Sequence, residues 1–152
     1  MAAMLARLLD FGVAAGVLVV LMIIYKIPVF LSGLLYLPLI FAIQIFLLIG
    51  LGLASSAANV FFRDVSSLLT LVFQLWFYAS PIIYPISMVP ERLLPLYLLN
   101  PMAGLLESYR DVLLDSQSPG SYLLSSAVVS LLIFVSGYWF FKRVEFQIAD
   151  IV

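Results

Sequence analysis

The 152-residue sequence contains no cysteine and no histidine. Thiol catalysis, disulfides, imidazole bases and metal sites built on Cys or His are therefore excluded. The missing cysteine says nothing about redox compartment. Charge is scarce: 7 Lys/Arg and 8 Asp/Glu make up 10% of the chain, against roughly 25% in a soluble domain. The net charge of −1 offers no basic field to hold nucleic acid. No Walker-type Gly-rich loop occurs, so this chain does not bind ATP by that route. No nucleophile elbow surrounds any of the serines. What is present instead is apolar: 65% of residues are hydrophobic and the mean hydropathy is +1.22. A soluble fold of this size leaves much of its area exposed and could not hide so much apolar surface. The remaining class is an all-α integral membrane protein with several spans.

The few charges divide the chain. Between them lie the uncharged stretches 11–25, 27–62, 65–90, 93–106 and 116–141. A bilayer core of about 30 Å needs about 20 helical residues. Four spans are expected, at about 8–25, 34–58, 66–86 and 120–141. The first includes Asp10 near a helix end, where snorkelling or thinning accommodates it. Its apolar run is longer than a signal-peptide core, and no clean small-x-small site follows Tyr25. Ser32-Gly33 can start the second span, and Pro38 sits in its early turns.

The stretch 93–106 is too short to span and is broken by Pro95 and by Asn100-Pro101. Asn caps free N–H groups and Pro fits the first helical position, so a helix is expected to start there. It would run about 101–114, with Met102, Leu105, Leu106, Tyr109, Val112 and Leu113 on one apolar face. Glu107, Arg110 and Asp111 fall on the other. With a first short helix over 90–99, the pair reads as a re-entrant helical hairpin at about 90–115. Four of the eight carboxylates lie in this region. A membrane enzyme using paired acids is conceivable, but the simpler reading is that they solvate the hairpin's outer face. No catalytic residue, cofactor or metal ligand is assigned.

Trp139-Phe140-Phe141 followed by Lys142-Arg143 reads as an interfacial aromatic group ahead of a cytoplasmic basic pair. With an even number of spans, both termini and the Arg63-Asp64 turn are then cytoplasmic and 87–119 is outside. Gly12-x-x-x-Gly16 and the stripe Gly50, Ala54, Ala57, Ala58 let helix backbones approach closely in lipid. Phe73, Trp76 and Phe77 recur on one helical side, with Tyr84 seven residues on. They are either a lipid-facing belt or a track on which the C–H faces of sugar rings stack. Sequence pattern alone does not choose. Arg63-Asp64 is either a solvated turn or a contact for a soluble partner.

A set of ordered pieces then resembles a known family. Asn59-Val60-Phe61-Phe62-Arg63-Asp64-Val65 is followed by Gln74-Leu75-Trp76 and by Ala79-Ser80-Pro81-Ile82-Ile83-Tyr84-Pro85. After these come Val89-Pro90-Glu91-Arg92, Leu99-Asn100-Pro101-Met102, Tyr109-Arg110 and the tail Phe146-Gln147-Ile148-Ala149-Asp150-Ile151. Together they resemble the permease subunit of polysaccharide-exporting type-2 ABC transporters, the exporters of O-antigen, capsule and teichoic acid. The match in order and spacing covers about 59–114. The resemblance implies a pore subunit in the bacterial plasma membrane that moves lipid-linked polysaccharide. It also implies a partner ABC ATPase and a second copy of the permease, with no nucleic acid involved. On that reading Phe73, Trp76, Phe77 and Tyr84 line the translocation path and Arg63 and Asp64 face the ATPase. Asn100, Pro101, Glu107 and Arg110 then belong to the outer hairpin, near the exit. Such permeases usually have six spans behind an N-terminal amphipathic helix, and this chain resembles them from about the third span. A fragment, or a short reading of a longer gene, is the expectation. The alternatives are an exporter of drugs or other lipids, a membrane enzyme acting on a lipid-linked sugar, and a structural bundle without a transport role.

Overall fold

The computed structural model describes residues 2–27, 33–61, 64–82, 84, 86–90 and 92–149. Among the described residues every regular element is helical. The α-helices are α1 (Ala2–Ile24), α2 (Leu37–Phe61), α3 (Val65–Ala79), α4 (Leu94–Leu98), α5 (Pro101–Leu113) and α6 (Tyr122–Ala149). Short 3-10 turns, Gly33–Tyr36 and Ile86–Met88, precede α2 and α4. Arg63, half of the expected ATPase-facing pair, lies outside the described residues, as does Ser32.

Among the described residues, two helical stretches have the length and apolar composition to cross a membrane: Gly33–Phe61, with 29 residues, and Tyr122–Glu145, with 24. Shorter apolar helices occupy Gly12–Ile24 and Val65–Ala79. Two hydroxyls along these helices are turned back onto the helix: Ser55 donates to the Leu51 carbonyl at 2.6 Å and Thr70 to that of Ser66 at 3.0 Å. Such bonds make a hydroxyl tolerable where water is absent.

The core sits where α2, α5 and α6 meet. Ile40, Ile43 and Leu47 from α2, Leu105 and Val112 from α5 and Leu123 from α6 are buried together, with Met102, Tyr109 and Ile133 packed around them. Lipid tails are as apolar as leucine, so what holds helices together there is close packing rather than expulsion from water. Glycine makes it possible. A Cβ on Gly50 would lie 2.6 Å from the Phe134 Cα, and one on Gly137 would lie 2.3 Å from the Gly50 carbonyl oxygen. The Phe46 and Phe134 rings meet edge to face at 5.3 Å beside this crossing. The expected small-residue stripe on α2 is thus used at Gly50 and at the buried Ala57. By contrast, a Cβ on Gly12 or Gly16 would meet nothing within 4 Å, so among the described residues that pair is not a close helix crossing.

Helix ends follow local chemistry. At the end of α1, Lys26 adopts a left-handed φ of 53°. The Ile27 amide then reaches the Met22 carbonyl and the Lys26 amide that of Ile23, which satisfies two otherwise orphaned carbonyls. At the far end of α6, the Arg143 guanidinium lies 5.2 Å from the centre of the Trp139 ring, and Lys142 pairs with Glu145 at 2.7 Å.

Candidate functional site

The site begins where α3 stops. Pro81 has no N–H and its ring restricts the residue before it. Ser80 is accordingly extended, at φ −95° and ψ 142°, and the helix closes at Ala79. This corrects one expectation: Tyr84 does not continue the helical side of Phe73, Trp76 and Phe77, because the helix that would align it has ended. Phe73 and Phe77 remain 42% and 51% exposed, and the Phe73 ring stacks on Trp76 at 6.1 Å and 21°. Phe77 instead meets its neighbour Tyr78 edge-on at 5.6 Å.

Asn100 starts α5 as its composition suggests, accepting the Met102 amide on Oδ1 at 3.1 Å, with Pro101 in the first turn. The same oxygen accepts the indole N–H of Trp76 at 2.7 Å. Its Nδ2 donates to Ser80 Oγ at 3.0 Å, and the Ser80 hydroxyl donates to the Trp76 carbonyl at 2.8 Å. One amide thus caps a helix and ties down the end of another.

Arg110, nearly three turns further along α5, reaches the same segment. Its Nη2 donates to the carbonyls of Pro81 at 3.0 Å and Ile82 at 2.8 Å. Its Nη1 donates to the Tyr84 carbonyl at 3.1 Å and to Glu107 Oε2 at 2.9 Å. The other Glu107 oxygen accepts the Ile86 amide at 3.4 Å. Glu107 is buried, so the simple picture of hairpin acids solvating an outer face fails for it. Its charge is neutralised by Arg110, and the guanidinium fork is in turn used up by carbonyls of the non-helical segment after α3. The Tyr84 and Tyr97 hydroxyls also share a hydrogen bond, linking the segment to α4.

Asp111 closes the other end of α5. Its Oδ2 accepts the Tyr122 hydroxyl and the Gly120 amide, joining α5 to the start of α6. Burial pushes its carboxyl above the usual range, the Gly120 amide opposes this, and the charges of Glu107 and Asp115 add to it. Across the core, Tyr109 donates to Gln44 Oε1 of α2 at 2.7 Å. Asp64 is exposed just before α3 and makes no side-chain cap for it.

The structure therefore brings Trp76, Tyr84, Asn100, Glu107 and Arg110 into one brace, with Phe73 stacked on its edge. Phe77 and Asp64 stand apart from it. Sequence reasoning missed the partnerships of Ser80, Gln44 and Tyr122. The available signal was a polar side chain inside an apolar run, which must find a partner if water is absent. Among the described residues no cluster of acidic side chains is arranged to hold a metal ion. The chemistry the arrangement supports is mechanical: a fixed break in a helix beside exposed aromatic rings.

Helices of membrane-crossing length, an apolar surface and a polar brace around a broken helix define a helical membrane protein. Residues 2–114 match the family model of the ABC-2 type transporter, and the chain belongs to that family. It is 28% identical over 144 residues to an O-antigen export system permease protein RfbA of Klebsiella pneumoniae, covering 95% of this chain and 56% of that protein. A second Klebsiella pneumoniae protein of the same name is 26% identical over the same shares. A Myxococcus xanthus O-antigen export system permease protein RfbA is 33% identical over 100 residues, covering 63% of this chain and 38% of that protein. The chain thus spans about half the length of the curated relatives it matches.

Proposed function

We propose that this chain is a membrane-spanning permease component of an ATP-driven exporter of lipid-linked polysaccharide in the bacterial plasma membrane. The observation that carries this reading is its similarity, along 95% of its length, to O-antigen export permeases. The exposed rings of Phe73 and Phe77 beside Trp76 support it. A sugar polymer offers apolar C–H faces, and an aromatic wall holds them without fixing one register. Strong, specific bonds would slow release, since conduction needs sites weak enough to leave. Each ring contributes on the order of 1 kcal/mol, by analogy with bases stacked on aromatics. Hydrolysis of ATP belongs to a separate ATPase, met at the cytoplasmic turn that holds Arg63 and Asp64. A second permease copy completes the channel.

In this reading α1, α2, α3 with its extension to about residue 86, and α6 cross the bilayer, and α4 and α5 form a re-entrant hairpin on the outer side. Cysteines introduced singly at Ala3, Gln117 and Ile148 of this Cys-free chain test the topology. Gln117→Cys is expected to label from outside and the other two from inside; the opposite pattern rejects it. The transport role is tested by expressing the chain with the ABC ATPase of a polysaccharide exporter, in cells lacking their own polysaccharide permease. Surface polysaccharide and stimulated ATP hydrolysis are expected. Stimulation by a drug or a simple lipid, with no polysaccharide at the surface, would move the assignment to another ABC-2 exporter.

A further inference from the structure

Helix α3 has no buried residue, and burial begins only past its end, at Ser80 and Pro81. Its polar attachment to the hairpin has two points. At the first, Asn100 takes the Trp76 indole N–H and gives a hydrogen bond to Ser80, which returns one to the Trp76 carbonyl. This is a closed loop, and both atoms of the Asn100 amide are needed for it. At the second, the Arg110 fork collects the carbonyls of Pro81, Ile82 and Tyr84 while Glu107 holds it from the side. Those carbonyls belong to the non-helical segment that follows α3. In an apolar medium an unpaired carbonyl is costly, so the segment is anchored wherever Arg110 is.

We propose that Asn100 and Arg110 are positioning residues that clamp the end of α3 to the hairpin, so that Trp76 and the ring stacked on it move with α5 as one body. The orientation of the aromatic face is then set by the hairpin. A displacement of α5 at the outer end turns the wall, and polymer passage and hairpin position become one mechanical variable. This rests on the reading of the Phe73–Trp76 face as part of the polysaccharide path, but the clamp can be tested without transport.

The chain has two tryptophans, so Trp139→Phe leaves Trp76 as the single reporter in the reconstituted full chain. Its indole N–H resonance and its fluorescence anisotropy read the clamp directly. Asn100→Ala is expected to shift the indole resonance upfield and lower the anisotropy. Arg110→Gln, which does not touch Trp76, is expected to lower the anisotropy as well. Arg110→Lys is expected not to rescue it, because an ammonium restores the charge beside Glu107 but not the planar fork. Ser80→Ala is the milder second variant, should Arg110→Gln fail to insert; a drop in anisotropy is again expected. An unchanged Trp76 signal in Asn100→Ala and Ser80→Ala overturns the clamp, as does full rescue by Arg110→Lys. Export then separates the two ideas. Trp76→Phe keeps the ring but loses the N–H, so the clamp predicts loss of export with Phe as with Leu. Normal export by Trp76→Phe with loss in Trp76→Leu would keep the aromatic path and discard the clamp. Normal export by both, with the spectroscopic changes present, would keep the clamp and discard the path.

Discussion

Ile40, Leu47, Leu105 and Val112 are 0 to 2% exposed where α2, α5 and α6 meet, whereas α3 buries none of its residues. The first region is held by contact between surfaces that interlock. The second is held by a handful of directed bonds from Asn100, Glu107 and Arg110. The difference has a physical origin. Packing energy is the sum of many small contacts and resists any separation of the helices. A hydrogen-bonded attachment is strong only in one geometry and can be released and remade as a unit. The three-helix block therefore suits a frame, and the end of α3 is a part fastened to that frame through α5 by directed bonds.

The sharpest way to break the frame is at the closest crossing. Gly137→Leu would drive a side chain into the Gly50 carbonyl and is expected to cost about 3 kcal/mol, as overpacking does at its upper range. Unfolding of the reconstituted chain by denaturing detergent measures it. Gly52→Leu, at a position on α2 where a Cβ meets nothing within 4 Å, should stay close to the parent protein. Equal losses for the two would mean that the crossing does not hold the block together.

Removing the cation from the second region comes next. Arg110→Gln leaves Glu107 and the carbonyls of Pro81, Ile82 and Tyr84 short of donors, at about 2–3 kcal/mol. The loss should be local. Hydrogen exchange of the Ile82 and Ile86 amides should accelerate while α2 and α6 stay protected. Uniform acceleration across the chain would erase the distinction between frame and clamp.

Leu47→Ala sharpens the comparison from the other side. In lipid the transfer contribution shrinks and the cavity remains, so about 2 kcal/mol is expected. Leu75→Ala on α3, where the side chain is 70% exposed, should fall within about 0.5 kcal/mol of the parent. A loss smaller than that of Leu47→Ala belongs to Tyr109→Phe. It removes the one bond to Gln44 and should cost about 1 kcal/mol, measured in the same detergent titration.

How much of this was legible in the sequence differs by element. The start of α5 was readable because Asn100-Pro101 acts on amides within two residues of itself. The helical character of 34–58 and 120–141 was readable because uncharged apolar runs of that length have few alternatives in lipid. The end of α3 was in view as the Ser80-Pro81 pair, yet a 21-residue span over 66–86 took the apolar run to be continuous through it. The charge pair Glu107 and Arg110 was visible at helical neighbour spacing. That Glu107 is buried against the 81–86 segment was not visible, because burial depends on what lies opposite.

By itself the sequence determined the class of environment, the helices and their caps, for these depend on composition and on neighbours up to four residues away. Only the tertiary structure decided which polar groups meet. Trp76 and Asn100 are 24 residues apart, and Gln44 and Tyr109 are 65 apart. No local rule selects between such partners. The choice follows from where Gly50 and Gly137 let α2 and α6 cross, which sets α5 against them. The position of α5 then sets where the fork of Arg110 finds the carbonyls of Pro81, Ile82 and Tyr84, beyond the helix that proline has ended.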